Sequence, residues 1–264
     1  MTYVTFDRST YYPVLRDFQS RFGFLLDTKA SLQRDLRRLL KKPFEAEFSL
    51  IAAISDCDGQ FLDVGANRGQ SIDAIRLFKP DASIIAFEPN GLLVEKLTRR
   101  FANEKFVSII SAGLSDQSGS GELFVPFYRQ FMYDGLASFD YEEARNWLNE
   151  KTVWRFKSRR LQVRSVPCEL KVMDDLNLMP AFVKIDVQGF EKSVLMGGQV
   201  TLETHKPLII LENNPDAGDW LRAKGWVSYA FQQGRLERAE FGPNNTVFLH
   251  PDSALAAKVL KDFS

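Results

Sequence analysis

Residues 61–70, FLDVGANRGQ, constrain the fold of this chain more than any other stretch. Phe61, Leu62 and Val64 read as a short buried strand of the kind found inside parallel sheets. Asp63 interrupts the apolar run at its carboxyl end, where open α/β sheets bind their ligands. Gly65 and Gly69 bracket a tight turn, and residues 71–78 carry Ile72, Ile75 and Phe78 at helical spacing. Strand, glycine turn and helix together bring a nucleotide-type ligand against backbone N–H groups. The spacing is G-x-x-x-G, not G-x-G-x-x-G. With an acid in front, such a turn suits adenosyl-methionine better than a pyrophosphate, because the carboxylate meets a cationic amino group directly or through water. A plain αβ turn needing glycine and an N-cap is the bland alternative.

Charge and hydropathy narrow the class further. The 34 basic and 34 acidic residues cancel, so no global field draws the chain to nucleic acid. No apolar run approaches the roughly 20 residues of a membrane span. The first residues, MTYVTFDRST, lack a basic stretch followed by an apolar core, so no secretory signal is visible. Cys57 and Cys168 have no metal-ligand spacing and fit a reducing compartment, which makes the cytoplasm the expected location.

Along the chain, residues 1–55 read as an N-terminal helical extension, with helical spacing over 12–26 and 31–40. Leu32, Leu36, Leu39 and Leu40 share one side of the second helix, opposite Arg34, Arg37, Arg38, Lys41 and Lys42. A cap on the main domain is the simplest reading, and a homodimer contact or an anionic membrane surface is its rival. From residue 56 to 264, strand and helix patterns alternate as in an α/β sheet. The second strand, 83–87, ends in Glu88, placed to accept both hydroxyls of an adenosine ribose. A solvated loop acid is the alternative. A third strand, 106–111, runs into Ala112, Gly113 and Leu114, whose small residues would line a flat slot for an adenine. Residues 126–167 interleave aromatics with bases, and a helix is expected over 142–151. This segment reads either as a substrate lid or as a packed insertion with a solvated basic edge. Residues 181–186 repeat the opening logic and end in Asp186, and 207–211 end in Glu212 and Asn213. The strands at 226–231 and 246–249, separated by a loop, are better read as antiparallel than as another crossover.

The segments FLDVGANRGQS, AFEPN, AGLSDQSG and VKIDVQGFEKSVLMGG, in this order and at these intervals, resemble the FkbM-type S-adenosylmethionine-dependent methyltransferases. The resemblance covers about 58–249. It implies a class I methyltransferase (Rossmann-like) fold, with a seven-stranded, mostly parallel sheet whose last strand is antiparallel. It also implies O-methylation of a sugar or secondary-metabolite hydroxyl. Asp63, Gly65, Asn67 and Gly69 carry over to the methionine end of S-adenosyl-L-methionine, Glu88 to the ribose, and Ala112, Gly113 and Leu114 to the adenine. One departure is Gln188, where the family often has glutamate.

Methyl transfer to a hydroxyl needs alignment and an acceptor for the proton. His205 and His250 are both expected at the end of the sheet away from the ligand, which leaves the carboxylates. Asp186 is the expected catalytic base. Asp186, Glu212 and Asn213 are also similar to the Mg²⁺ site of catechol-type O-methyltransferases, so a divalent cation is the second expectation. Lys184 receives no role, and Glu191 reads as structural. The acceptor is a small molecule or glycan. Two rival classes remain: an NAD-dependent oxidoreductase, opposed by the G-x-x-x-G turn, and a non-catalytic binding protein on a methyltransferase scaffold.

Overall fold

The computed structural model describes residues 42–55 and 59–264, together with Asp17, Ser20, Leu36, Arg37, Leu39 and Leu40. The helices expected over 12–26 and 31–40, and Cys57, lie essentially outside the described residues. The chain divides into two compact units: Arg37–Gly121 with Pro167–Ser264, and Met1–Leu36 with Glu122–Val166.

The larger unit opens with a 3-10 helix, Ala46–Ala53, then β1 (Gln60–Val64), α1 (Gln70–Phe78), β2 (Ile84–Phe87), α2 (Gly91–Arg100) and β3 (Val107–Ile110). A two-residue strand β4 (Gly113–Leu114) follows, and β5 (Gly119–Tyr128) leads into the other unit. There the chain forms β6 (Phe131–Met132) and α3 (Tyr141–Asn146), returning along β7 (Leu161–Lys171). The larger unit resumes with β8 (Pro180–Ile185), α4 (Glu191–Gly197), α5 (Gln199–His205), β9 (Leu208–Glu212) and α6 (Pro215–Ala223). It closes with β10 (Val227–Gln232), β11 (Arg235–Arg238), β12 (Asn245–Leu249) and α7 (Ala254–Phe263).

The large sheet has eight strands in the order β11-β10-β12-β9-β8-β1-β2-β3. Strands β3, β2, β1, β8 and β9 run parallel, and β12 lies antiparallel to both β9 and β10. The antiparallel last strand agrees with the sequence reading; the count of seven strands does not. The eighth strand, β11, arises because Gln233 and Gly234 both take positive φ, 52° and 81°. Two consecutive residues in that region make the tight turn whose twist matches paired strands. The segment read as a loop therefore folds back as a hairpin on β10.

Side chains alternate across the strands, so each face gathers its own core. One face packs Phe61, Phe182, Ile210 and Val247 against Phe48, Ile51, Ile72, Ile75 and Val259. The other packs Leu62, Val64, Val183 and Ile185 against Val194, Leu195, Leu221 and Trp226. Phe48, Leu50 and Ile51 are fully buried here, so the end of the stretch read as an extension belongs to the main core. Alternation also puts Asp63 and Lys184, cross-strand neighbours in the β1–β8 register, on the Phe61 face. Two polar side chains thus break that core at the carboxyl end of the strands.

The smaller unit has a core of Tyr128, Tyr133, Leu148 and Val153. Tyr128 stacks on Phe156 and its hydroxyl accepts from the Lys157 N–H at 2.9 Å. Asp140 caps α3 by accepting from the Glu143 N–H. The helix expected over 142–151 is shorter, because Asn149 turns its side chain onto the backbone of residues 146, 147, 151 and 152.

Candidate active site

The glycine turn after β1 is hung on the end of β2. Gly65 and Ala66 N–H groups both donate to the Phe87 carbonyl at 3.0 Å, and the Gly69 N–H closes the turn on Ala66 at 2.7 Å. Gly65 has φ 89°, and a Cβ there would stand 1.9 Å from the Asp186 carbonyl oxygen. Glycine is therefore required twice over, by conformation and by the approach of the backbone just past β8. Asn67 takes φ 47° and donates its N–H to Glu88 Oε2 at 2.7 Å. Glu88 Oε1 accepts from the Asn90 N–H at 2.9 Å. The residue expected at the ribose thus already ties the first turn to the second.

Asp63 is fully buried at the end of β1, and among the described residues neither carboxylate oxygen completes a hydrogen bond, although the Ser71 side chain stands near enough to favour its ionised form. Burial pushes its carboxyl up to about 7, with Lys184 pulling it back and Asp186 adding to the rise. An isolated ionised carboxylate in such surroundings costs several kcal/mol, so it is a strong acceptor for an incoming cation. The expected slot at Ala112, Gly113 and Leu114 takes a different form. All three are buried, Gly113 and Leu114 pair with the end of β7, and the Leu114 side chain joins the core.

Asp186 and Glu212 come together at the ends of β8 and β9. Gln188 Nε2 donates to Asp186 Oδ1 at 2.9 Å and to Glu212 Oε2 at 3.0 Å. Burial would raise Asp186, but the Lys184 ammonium, 3.6 Å away, and hydrogen bonds from Glu212 and Gln188 hold it below the usual range. Burial and the neighbouring Asp186 push Glu212 up to about 8. The pair therefore keeps one proton near neutral pH, carried by Glu212.

Asn213 does not join them. Its amide oxygen accepts from Thr246 Oγ1 at 2.7 Å, and its NH₂ donates to the Gly242 carbonyl at 2.8 Å. The three-oxygen Mg²⁺ set expected from sequence is thus not assembled: one member faces away and an amide bridges the other two. Among the described residues, no three His, Cys, Asp or Glu side chains stand so as to hold a metal. The histidines lie where expected, His205 at the end of α5 before β9 and His250 just past β12, beside Trp226.

Lys184 received no role from the sequence, yet it is a hub. Its ammonium is 1% exposed, donates to Asn245 Oδ1 at 2.9 Å and stands 3.9 Å from Glu45 Oε2. A lone lysine inside a six-residue apolar strand was the available signal. Asn245 and Glu45 gave none, since the fold brings them together from opposite ends of the chain. Glu191, 1% exposed, is structural as read: Oε1 accepts from the Val187 and Gly189 N–H groups, and Oε2 from Asn214 Nδ2.

A mostly parallel sheet that gathers a glycine turn, a buried acid and a carboxylate pair at the carboxyl ends of its strands defines the class: an α/β domain with its polar groups at the edge where open α/β sheets bind ligands. The family follows from the sequence, whose residues 63–234 match the Methyltransferase FkbM domain; the chain belongs to the FkbM methyltransferase family. Among solved structures it is similar to methyltransferase FkbM from Methylobacillus flagellatus KT, with 14% identity, 75% of this chain and 44% of that one covered, and a TM-score of 0.46. A second is precorrin-6y C5,15-methyltransferase from Geobacter metallireducens GS-15, with 13% identity, 77% and 85% coverage, and a TM-score of 0.38. The chain thus spans less than half of the Methylobacillus protein. Among curated proteins no match is found.

Proposed function

We propose that this methyltransferase uses S-adenosyl-L-methionine to methylate a hydroxyl of a sugar, glycan or related small molecule, with Asp186 as the base. The observation that carries the reading is Asp63: a buried carboxylate with two unpartnered oxygens, beside a glycine turn. That environment fits a ligand with a cationic amino group and a backbone-hugging tail. Asp63 would meet the amino group, the 65–69 turn would line the methionine end, and Glu88 would meet the ribose. Residues 112–114 would neighbour the adenine through their backbone. The bound cofactor supplies an electrophilic methyl group.

The chain's own work is alignment and proton removal. Asp186, held below the usual carboxylate range and 36% exposed, would accept the proton of the acceptor hydroxyl. Lys184 keeps it ionised from below. Fixing the acceptor oxygen against the donor can lower the barrier by on the order of 7–11 kcal/mol at best.

The test is transfer of radiolabelled methyl from the cofactor to a panel of monosaccharides, sugar phosphates and phenolic alcohols. Label should appear as a base-stable ether. Asp186→Asn should lower turnover by about 10²–10⁴-fold while S-adenosylhomocysteine binding persists. Label found only on nitrogen, sulfur or carbon would contradict the reading.

A further inference from the structure

The carboxylate pair at the ends of β8 and β9 is closed by an amide. We propose that Gln188 is a positioning residue, a clamp whose side-chain NH₂ occupies the bridging place between Asp186 and Glu212 that a divalent cation would otherwise take. The inference rests on reading this end of the sheet as the acceptor site.

Three observations carry it. First, one nitrogen donates to both carboxylates, at 2.9 and 3.0 Å. The ionised Asp186 can only accept, so the nitrogen, not the oxygen, of Gln188 faces it, which fixes the amide orientation. Second, Gln188 sits at φ 51°, a left-handed backbone position that few non-glycine residues adopt. The fold holds the side chain over the pair despite that cost. Third, the charge needed to attract a dication is already offset. Lys184 places an ammonium 3.6 Å from Asp186, and Asn213, the third candidate ligand, is committed to Thr246 and Gly242.

The amide does for the pair what a metal would do for orientation, holding both carboxylates in fixed positions. It supplies no Lewis acid, so proton acceptance falls to Asp186. Exchanging Gln188 for glutamate removes the donor and adds a third carboxylate between two others, and cation affinity at oxygen sites rises with ligand charge.

The test is titration of Mn²⁺, followed by electron paramagnetic resonance, into wild type, Gln188→Glu and Gln188→Ala. Wild type should show no saturable binding that Asp186→Asn removes. Gln188→Glu should bind at least about tenfold more tightly than wild type, and Gln188→Ala should fall between them. Adding Asp186→Asn to Gln188→Glu should abolish the gain. Saturable wild-type binding lost in Asp186→Asn would overturn the proposal, as would the absence of a gain in both Gln188 variants. S-adenosylhomocysteine titrated into the same samples keeps the two readings apart: its failure to bind would remove the cofactor assignment and leave the clamp to be judged by Mn²⁺ alone.

Discussion

Asp63 concentrates the cost of this site in one side chain. Unfolded, its carboxyl titrates near the ordinary value of 3.8; folded, burial lifts it to about 7. Between those values the folded chain keeps a proton that the unfolded chain has released. Stability is therefore fully present below the unfolded value and is lost as pH rises through the folded one. Glu212, lifted to about 8, acts in the same direction. The melting temperature of the ligand-free protein should fall between about pH 5 and pH 8, and Asp63→Asn should flatten the fall. Near pH 8 that variant should be more stable by on the order of 2 kcal/mol, a rise of roughly 5 °C for a chain of this size. Calorimetric scans across the range check this, and a variant less stable than wild type near pH 8 would show that Asp63 has a partner in the free protein.

At the scale of elements, the loop from β8 to α4 is held by Glu191, which ties residues 187 and 189 to Asn214 ahead of α6. Glu191→Ala would leave two part-buried N–H groups and an amide without their acceptor, a loss of about 2–3 kcal/mol. Urea unfolding should show the midpoint lowered without a change in slope. The alternating pattern from residue 61 onward made the strands, the parallel sheet and the glycine turn legible, because each is a local matter of apolar spacing and turn residues. The hairpin strand Arg235–Arg238 was not, because Gln-Gly carries a weaker turn signal than Asn-Gly and only one of its four side chains is buried. The site was half legible for the same reason. Asp63, Glu88 and Asp186 stand at strand ends that the pattern marks. The hub at Lys184 depends on register with Asn245, and the outward turn of Asn213 depends on Thr246. Neither contact leaves a trace in spacing.

For the molecule as a whole, the family match covers residues 63–234, while the sheet needs more than that. Strand β12 lies between β9 and β10, and Phe48 and Val259 sit in the core outside the matched span. The fold is thus completed by segments outside the matched span. The 34 basic and 34 acidic residues cancel over the whole chain, so the proposed recognition is argued from the local groups at the strand ends. In the proposed function, Asp63 would meet the cationic amino group of the ligand. The most direct measurement is calorimetric titration of S-adenosylhomocysteine near pH 8 into wild type and Asp63→Asn, with NADH as the comparison ligand. Saturable binding by wild type, weakened at least about tenfold in Asp63→Asn, with none for NADH, is the predicted result. Binding of NADH instead, or equal S-adenosylhomocysteine affinity in both proteins, would contradict it.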